Sequence, residues 1–239
     1  MKIRNSISII RRYFKKLVGL EPSFRAEISD VQIIELGNRG ASWCVAVDYV
    51  KRDSVVYSFG VGTDISFDRE LIERFGVAVQ GFDPTPRSMV WIASQTLPSA
   101  FSFHQIGLHQ SDGELVFYPP VDPGHVSFST NETGHDKGGA VVLKVCRLST
   151  IMRQLGHSWI DLLKMDIEGS EYGVIADIAQ TKPAIAQLLV EFHHWMPGFS
   201  VAQTNRAVEQ LKAIGYKLFY VSASGREYGF IHCSCAVDS

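Results

Sequence analysis

Short apolar runs alternate along this chain with stretches whose apolar residues recur every three or four positions, which predicts strand and helix in alternation. Residues 55–59, 77–82 and 101–108 read as three successive strands, with helices over 68–75 and 86–95 between them. Asp112-Gly113 is a turn signal and predicts an antiparallel hairpin between the third strand and residues 115–118. Farther on, strands at 141–145, 159–165 and 187–192 alternate with helices at 148–155, 171–179 and 203–214, and strands at 216–221 and 228–232 close the pattern. This alternation implies a mostly parallel α/β sheet with helices on both faces, and the closing pair implies an antiparallel edge strand. Cys233-Ser234-Cys235 alternates as a final strand would.

Three segments stand apart from that pattern. In residues 1–18, Ile3, Ile7, Ile10, Phe14 and Leu17 would share one helical face with cations around the rest, which predicts a basic amphipathic helix over residues 1–20, with disorder as the alternative. A helix of this kind packs on its own domain, joins a second subunit or lies on a membrane surface. After the Gly19-Leu20-Glu21-Pro22 break, residues 33–36 and 43–47 flank Gly37-Asn38-Arg39-Gly40, which predicts a small hairpin or lid over 21–54 before the main domain at 55–239. Residues 119–139 turn to Pro, Gly, Ser, Thr, Asn and His and read as a substrate loop, with His125 and Ser127 as candidate contacts.

Composition narrows the class. At 239 residues and 46% hydrophobic content the chain can bury one sizeable core. The net charge of −2 conceals an asymmetry: the first 18 residues hold six cations and no acid, leaving 17 bases against 25 acids in the rest. An acidic body argues against nucleic acid as a partner. Cysteines at 44, 146, 233 and 235 lack zinc-site spacing and are too few for a disulfide scaffold, as expected of reduced thiols in a cytoplasmic protein. No apolar run is long enough to span a membrane.

Two segments carry chemistry. The first runs from Val55 through Phe59-Gly60-Val61-Gly62-Thr63-Asp64, a buried-strand pattern ending in a glycine turn, and is followed by a strand ending Phe82-Asp83-Pro84. In open parallel sheets the glycines let the backbone approach a ligand, and the acid at the next strand end accepts hydrogen bonds from ribose hydroxyls. The second is Lys164-Met165-Asp166-Ile167-Glu168-Gly169-Ser170-Glu171, three carboxylates immediately after a strand expected at the sheet centre. The following strand ends Glu191-Phe192-His193-His194-Trp195, which brings an acid, two imidazoles and an aromatic ring to the same edge.

These segments, above all the D-x-E-G-x-E element at 166–171, resemble the FkbM-type methyltransferases over roughly three quarters of the chain. The resemblance implies a Rossmann-like class I fold with a seven-stranded sheet, S-adenosylmethionine as cofactor, and O-methylation of a sugar, glycan or small metabolite. Carried over by position, Phe59, Gly60, Gly62 and Asp64 border the methionine and ribose, Asp83 takes the ribose hydroxyls, and Ile106-Gly107 border the adenine. Asp166 lies by the amino-acid end of the cofactor or its reacting methyl. Phe59 and Val61 around the first glycine, and Asp64 where many members have Asn, depart from the family pattern. Methyl transfer to a hydroxyl needs alignment and a proton acceptor, and His193, Asp166 and Glu168 all fit that role. No metal is required; a divalent cation on Asp166, Glu168 and Glu191 is the less favoured alternative. Two other functions remain open: a nicotinamide-dependent oxidoreductase, disfavoured by Ile65 at the third glycine position of G-x-G-x-x-G, and a non-catalytic module that keeps the cofactor fold and tethers a partner through the basic N-terminal helix.

Overall fold

The computed structural model describes residues 19–120, 128–133 and 136–235; the basic segment at 1–18, His125 and Ser127 lie outside them. The described chain opens with an antiparallel pair, β1 (Ile33–Leu36) and β2 (Trp43–Ala46). There follow β3 (Val55–Phe59), α1 (Ser66–Phe75), β4 (Ala78–Phe82), α2 (Pro86–Ala93) and β5 (Phe101–His104). Three strands come next, β6 (Gly107–Leu108), β7 (Gly113–Phe117) and β8 (Val141–Cys146). The chain then runs through α3 (Leu148–Leu155), β9 (Trp159–Met165), α4 (Glu171–Thr181), β10 (Ala184–Glu191), α5 (Val201–Ala213), β11 (Tyr216–Val221) and β12 (Glu227–His232).

Seven strands make the main sheet in the order β11-β12-β10-β9-β3-β4-β5. Its central strands are apolar on both faces because both faces are covered. Alternate residues feed two cores: Tyr57, Leu163, Met165 and Leu188 on one side, Val56, Leu162 and Leu189 on the other. Each such side chain removed from water contributes about 1.5–3 kcal/mol. Local signals set the helix ends. Gly76 and Gly156 take left-handed conformations after α1 and α3, while Thr85 caps α2 ahead of Pro86. Among the described residues, no helix is long and apolar enough to cross a membrane.

The sheet departs from the sequence expectation in three places. The antiparallel strand is β12, and it lies one in from the edge, between β10 and β11. Because α5 carries the chain to the outermost position, the returning strand fills the gap and buries Tyr228, Phe230 and Ile231 from both sides. Residues 101–108 split in two: β5 stays in the main sheet, while β6 joins a separate three-stranded sheet ordered β6-β8-β7. The expected hairpin between the third strand and residues 115–118 is therefore absent, since β7 pairs with β8 across the 23 intervening residues 118–140. Cys233–Cys235 forms a 3-10 turn and adds no strand.

The hairpin β1–β2 lies against the second core through Leu36, Trp43, Val45 and Ala46. Gln187, fully buried on β10, clamps it by accepting from the Ala46 amide at 2.7 Å and donating to the Ala46 carbonyl at 3.3 Å.

Candidate active site

The chain leaves β3 toward β4 and later returns to its other side as β9, so the strand order reverses at β3. A crevice opens at the carboxyl ends of strands at such a point. There the Gly60 amide donates to the Phe82 carbonyl at 2.9 Å, and the Asp166 amide donates to the Phe59 carbonyl at 3.2 Å. Gly60 has φ +79°, and a Cβ on it would sit 1.7 Å from the Asp166 carbonyl oxygen. The first glycine is thus required by the approach of two strand ends. Lys164 secures the same turn: its ammonium, buried, donates to the Phe59 and Gly60 carbonyls at 3.3 and 3.0 Å and lies 5.2 Å from the centre of the Trp43 ring.

The turn is tied onward to Asp83. Gly62 donates its amide to Asp83 Oδ2 at 2.9 Å, while Oδ1 accepts from the Thr85 amide and hydroxyl at 2.9 and 2.6 Å. Three of about four acceptor positions on this buried carboxylate are therefore taken by the protein. Asp64 is likewise occupied, accepting from the Ser66 amide at 2.6 Å and the Asn38 side chain at 3.3 Å, and so joins α1 to the hairpin. Burial pushes its pKa up, but those hydrogen bonds and the Lys164 charge bring it below the usual value. The Phe59 ring is buried in a stack with Phe82 at 4.3 Å, so this residue offers the crevice mainly its backbone.

On the β9 side, Asp166, Glu168 and Glu171 converge with Glu191 on His193. Glu171, fully buried at the start of α4, accepts from the Gly169 amide at 2.8 Å and from the His193 amide at 2.9 Å, and its carboxylate meets His193 Nδ1 at 3.1 Å. The other imidazole nitrogen, Nε2, faces Glu168 at 3.4 Å, Asp166 at 3.6 Å and Glu191 at 4.0 Å. Burial lowers the His193 pKa, but Glu171, Glu168 and Asp166 outweigh it and hold the imidazole at about 10. Burial and the neighbouring Asp166 push Glu191 up to about 8. Glu168 has a left-handed φ of 51°, uncommon for a residue with a side chain and typical of strained functional turns. Ser129 holds that turn by donating to the Glu168 carbonyl at 2.9 Å, so part of the 119–139 loop reaches the acid motif.

The residues predicted for cofactor and catalysis border one cleft of about 1080 Å³: Phe59, Gly60, Gly62, Asp64, Asp83, Ile106, Gly107, Asp166, Glu168 and His193. Trp195, half exposed with the Arg226 guanidinium 4.3 Å from its ring centre, stands at the same opening. His194 turns away toward Glu21 and Thr204. Sequence reading passed over Lys164, whose apolar strand pattern hides it, and Ser129, in a stretch without periodicity. In the sequence Glu171 is only one acid of the D-x-E-G-x-E element, and only the fold shows it gripping His193.

Residues 44–218 match the Methyltransferase FkbM domain. The chain belongs to that family. "Probable methyltransferase-like protein 24" of Homo sapiens and that of Rattus norvegicus are each 26% identical over 176 residues, covering 69% of this chain and 42% of their own. The chain thus spans about two fifths of the length of these relatives. Among solved structures, the FkbM methyltransferase of Methylobacillus flagellatus KT is similar at 14% identity and TM-score 0.46, covering 76% of this chain and 44% of its own. Aeropyrum pernix fibrillarin, solved with natively bound S-adenosyl-L-methionine, is similar at 10% identity and TM-score 0.38, covering 89% of this chain and 85% of its own. For this FkbM family member, the departures at Phe59 and Asp64 correspond to a ring buried in the core and a carboxylate that joins two elements.

Proposed function

We propose that this chain is an S-adenosylmethionine-dependent methyltransferase that O-methylates a hydroxyl of a sugar, glycan or small metabolite. One observation carries the reading: the carboxylate cluster around His193 opens onto the same cleft as the glycine turn and Asp83. The cleft fits a nucleoside-sized cofactor with a second molecule beside it, its volume standing just above the usual ~300–1,000 Å³ range for one ligand. Asp83, with an acceptor position left over, suits a ribose hydroxyl. When bound, the sulfonium cofactor supplies an electrophilic methyl: the acceptor oxygen forms its bond to carbon as the sulfur–carbon bond breaks.

The protein's part is to align the acceptor and take its proton. His193 is 2% exposed, with Nδ1 engaged by Glu171 and Nε2 enclosed by three carboxylates, so an incoming hydroxyl does not reach it. The side chains of Asp166 and Glu168 are 29% and 20% exposed and border the cleft, so the proton passes to one of these carboxylates. His193 and Glu171 hold them in place. A lining richer in acids than in bases disfavours an anionic acceptor and suits a neutral hydroxyl.

Calorimetric titration of the full chain with S-adenosylmethionine and, separately, NAD tests the cofactor; binding of NAD alone would overturn the reading. Asp83→Asn keeps the shape of the side chain and should weaken S-adenosylmethionine binding by about 10-fold or more. Asp166→Asn should abolish transfer of labelled methyl to a panel of hydroxylated metabolites and glycans while leaving cofactor affinity within a few-fold; full activity removes Asp166 from the chemistry.

A further inference from the structure

Nε2 of His193 is enclosed by carboxylates. The side chain is 2% exposed, Nδ1 is paired with the fully buried Glu171 carboxylate, and Nε2 points at three carboxylate oxygens 3.4–4.0 Å away without a hydrogen bond to any of them. If Nδ1 donates its proton to Glu171, Nε2 presents a lone pair toward oxygens that are themselves acceptors. In the imidazolium the Nε2 proton fills that place; once it leaves, a metal cation between Nε2 and the carboxylates takes it. For Asp166 and Glu191, His193 is the one cationic side chain within ion-pair distance among the described residues, and Lys164 is committed to the Phe59 and Gly60 carbonyls.

The spacing suits a metal ion. One ligand atom from each of Asp166, Glu191 and His193 falls within 4.8 Å of the other two. Adjacent ligands on an octahedral divalent ion at about 2.1 Å stand roughly 3 Å apart and opposite ones roughly 4.2 Å, so small side-chain movements close the group around one ion. Glu171 supplies the outer support expected of such a centre, a carboxylate on the far nitrogen of a ligating imidazole, which selects the tautomer and fixes the ring. We propose that Asp166, Glu191 and His193 form a divalent-cation site at the floor of the cleft, with Glu168 beside it and Glu171 orienting the imidazole. Two carboxylates with one imidazole suit Mn2+ and Mg2+ better than the thiolate-preferring ions.

The site stands on this geometry alone; only its use rests on the methyltransferase reading. In that setting the ion would bind the acceptor oxygen and make its hydroxyl more acidic beside Glu168.

Titration of the full-length protein with MnCl2, followed by electron paramagnetic resonance and by calorimetry without cofactor, should show one ion per chain, displaced by excess Mg2+. Glu191→Gln should weaken Mn2+ binding by at least tenfold, and Glu171→Gln, which touches no ion, by about 10–100-fold. Glu35→Gln, a cleft carboxylate outside the group, should leave it within twofold. Circular dichroism on each variant separates lost binding from lost folding, and Glu191→Gln, at a strand end, carries the test if Glu171→Gln does not fold. Absence of stoichiometric Mn2+ binding, or binding indifferent to Glu191→Gln, overturns the proposal. S-adenosylmethionine binding on the same samples keeps the two readings apart: cofactor without metal sinks only the site, and metal without cofactor sinks only the methyltransferase reading.

Discussion

At Gly60 and Asp68 the physical demand on a side chain comes from its neighbours in space. A methyl group at Gly60 would collide with the Asp166 carbonyl and hold a residue with a side chain at φ +79°. Gly60→Ala should therefore cost about 3 kcal/mol or more, read as a fall in the denaturant midpoint, and a near-neutral result would mean that β3 and β9 can part at their ends without loss. Asp68 on α1 is buried at 3% exposure, and burial pushes its pKa up to about 6 against the pull of Lys164. A carboxyl whose folded pKa lies above its unfolded value, about 3.9, adds stability that is fully present at lower pH and is lost as pH rises through 6. Asp68→Asn, which does not titrate, should gain on the wild type by up to about 3 kcal/mol between pH 4 and pH 7. Chemical denaturation at both pH values checks this, and a constant difference would show that the buried carboxyl stays ionised beside Lys164.

Among the elements, the hairpin β1–β2 and the β11–β12 pair show how placement depends on partners distant in sequence. The hairpin is held to β10 by one amide side chain, Gln187, which satisfies both backbone groups of Ala46. Gln187→Leu strands a buried N–H and a buried C=O, and should cost about 2 kcal/mol. Amides of residues 33–46 should then exchange hydrogen faster than those of β9, whereas uniform acceleration would mean that hairpin and sheet open as one unit. Helix ends were easier to read because their signals are local: Gly76, Gly156 and the Thr85-Pro86 pair lie beside the turns they make. The pairing of β7 with β8 was not readable, since a turn signal such as Asp112-Gly113 states that the chain reverses and leaves open which strand it meets.

Across the whole molecule, the reversal of strand order at β3 gathers the glycine turn, Asp83 and the carboxylates of β9 and β10 around one cleft. A ligand that binds only the folded chain stabilises it by mass action, about 2.7 kcal/mol at 100 times its dissociation constant. Saturating S-adenosylmethionine should then raise the melting temperature by roughly 5–10 °C, while NAD leaves it unchanged. A shift with NAD instead would mean that the turn serves a different nucleotide. Periodicity and composition determined the α/β class, the order of strands and helices, and the presence of acids at strand ends, because each of these is written within a few neighbouring residues. Tertiary structure decided that β12 enters one strand in from the edge, that Gly60 is a glycine on account of Asp166, and that Glu171 and Glu191 join Asp166 around a single imidazole. Those outcomes arise from contacts between residues 20 to 100 or more positions apart, whose geometry exists only once the sheet has closed its core.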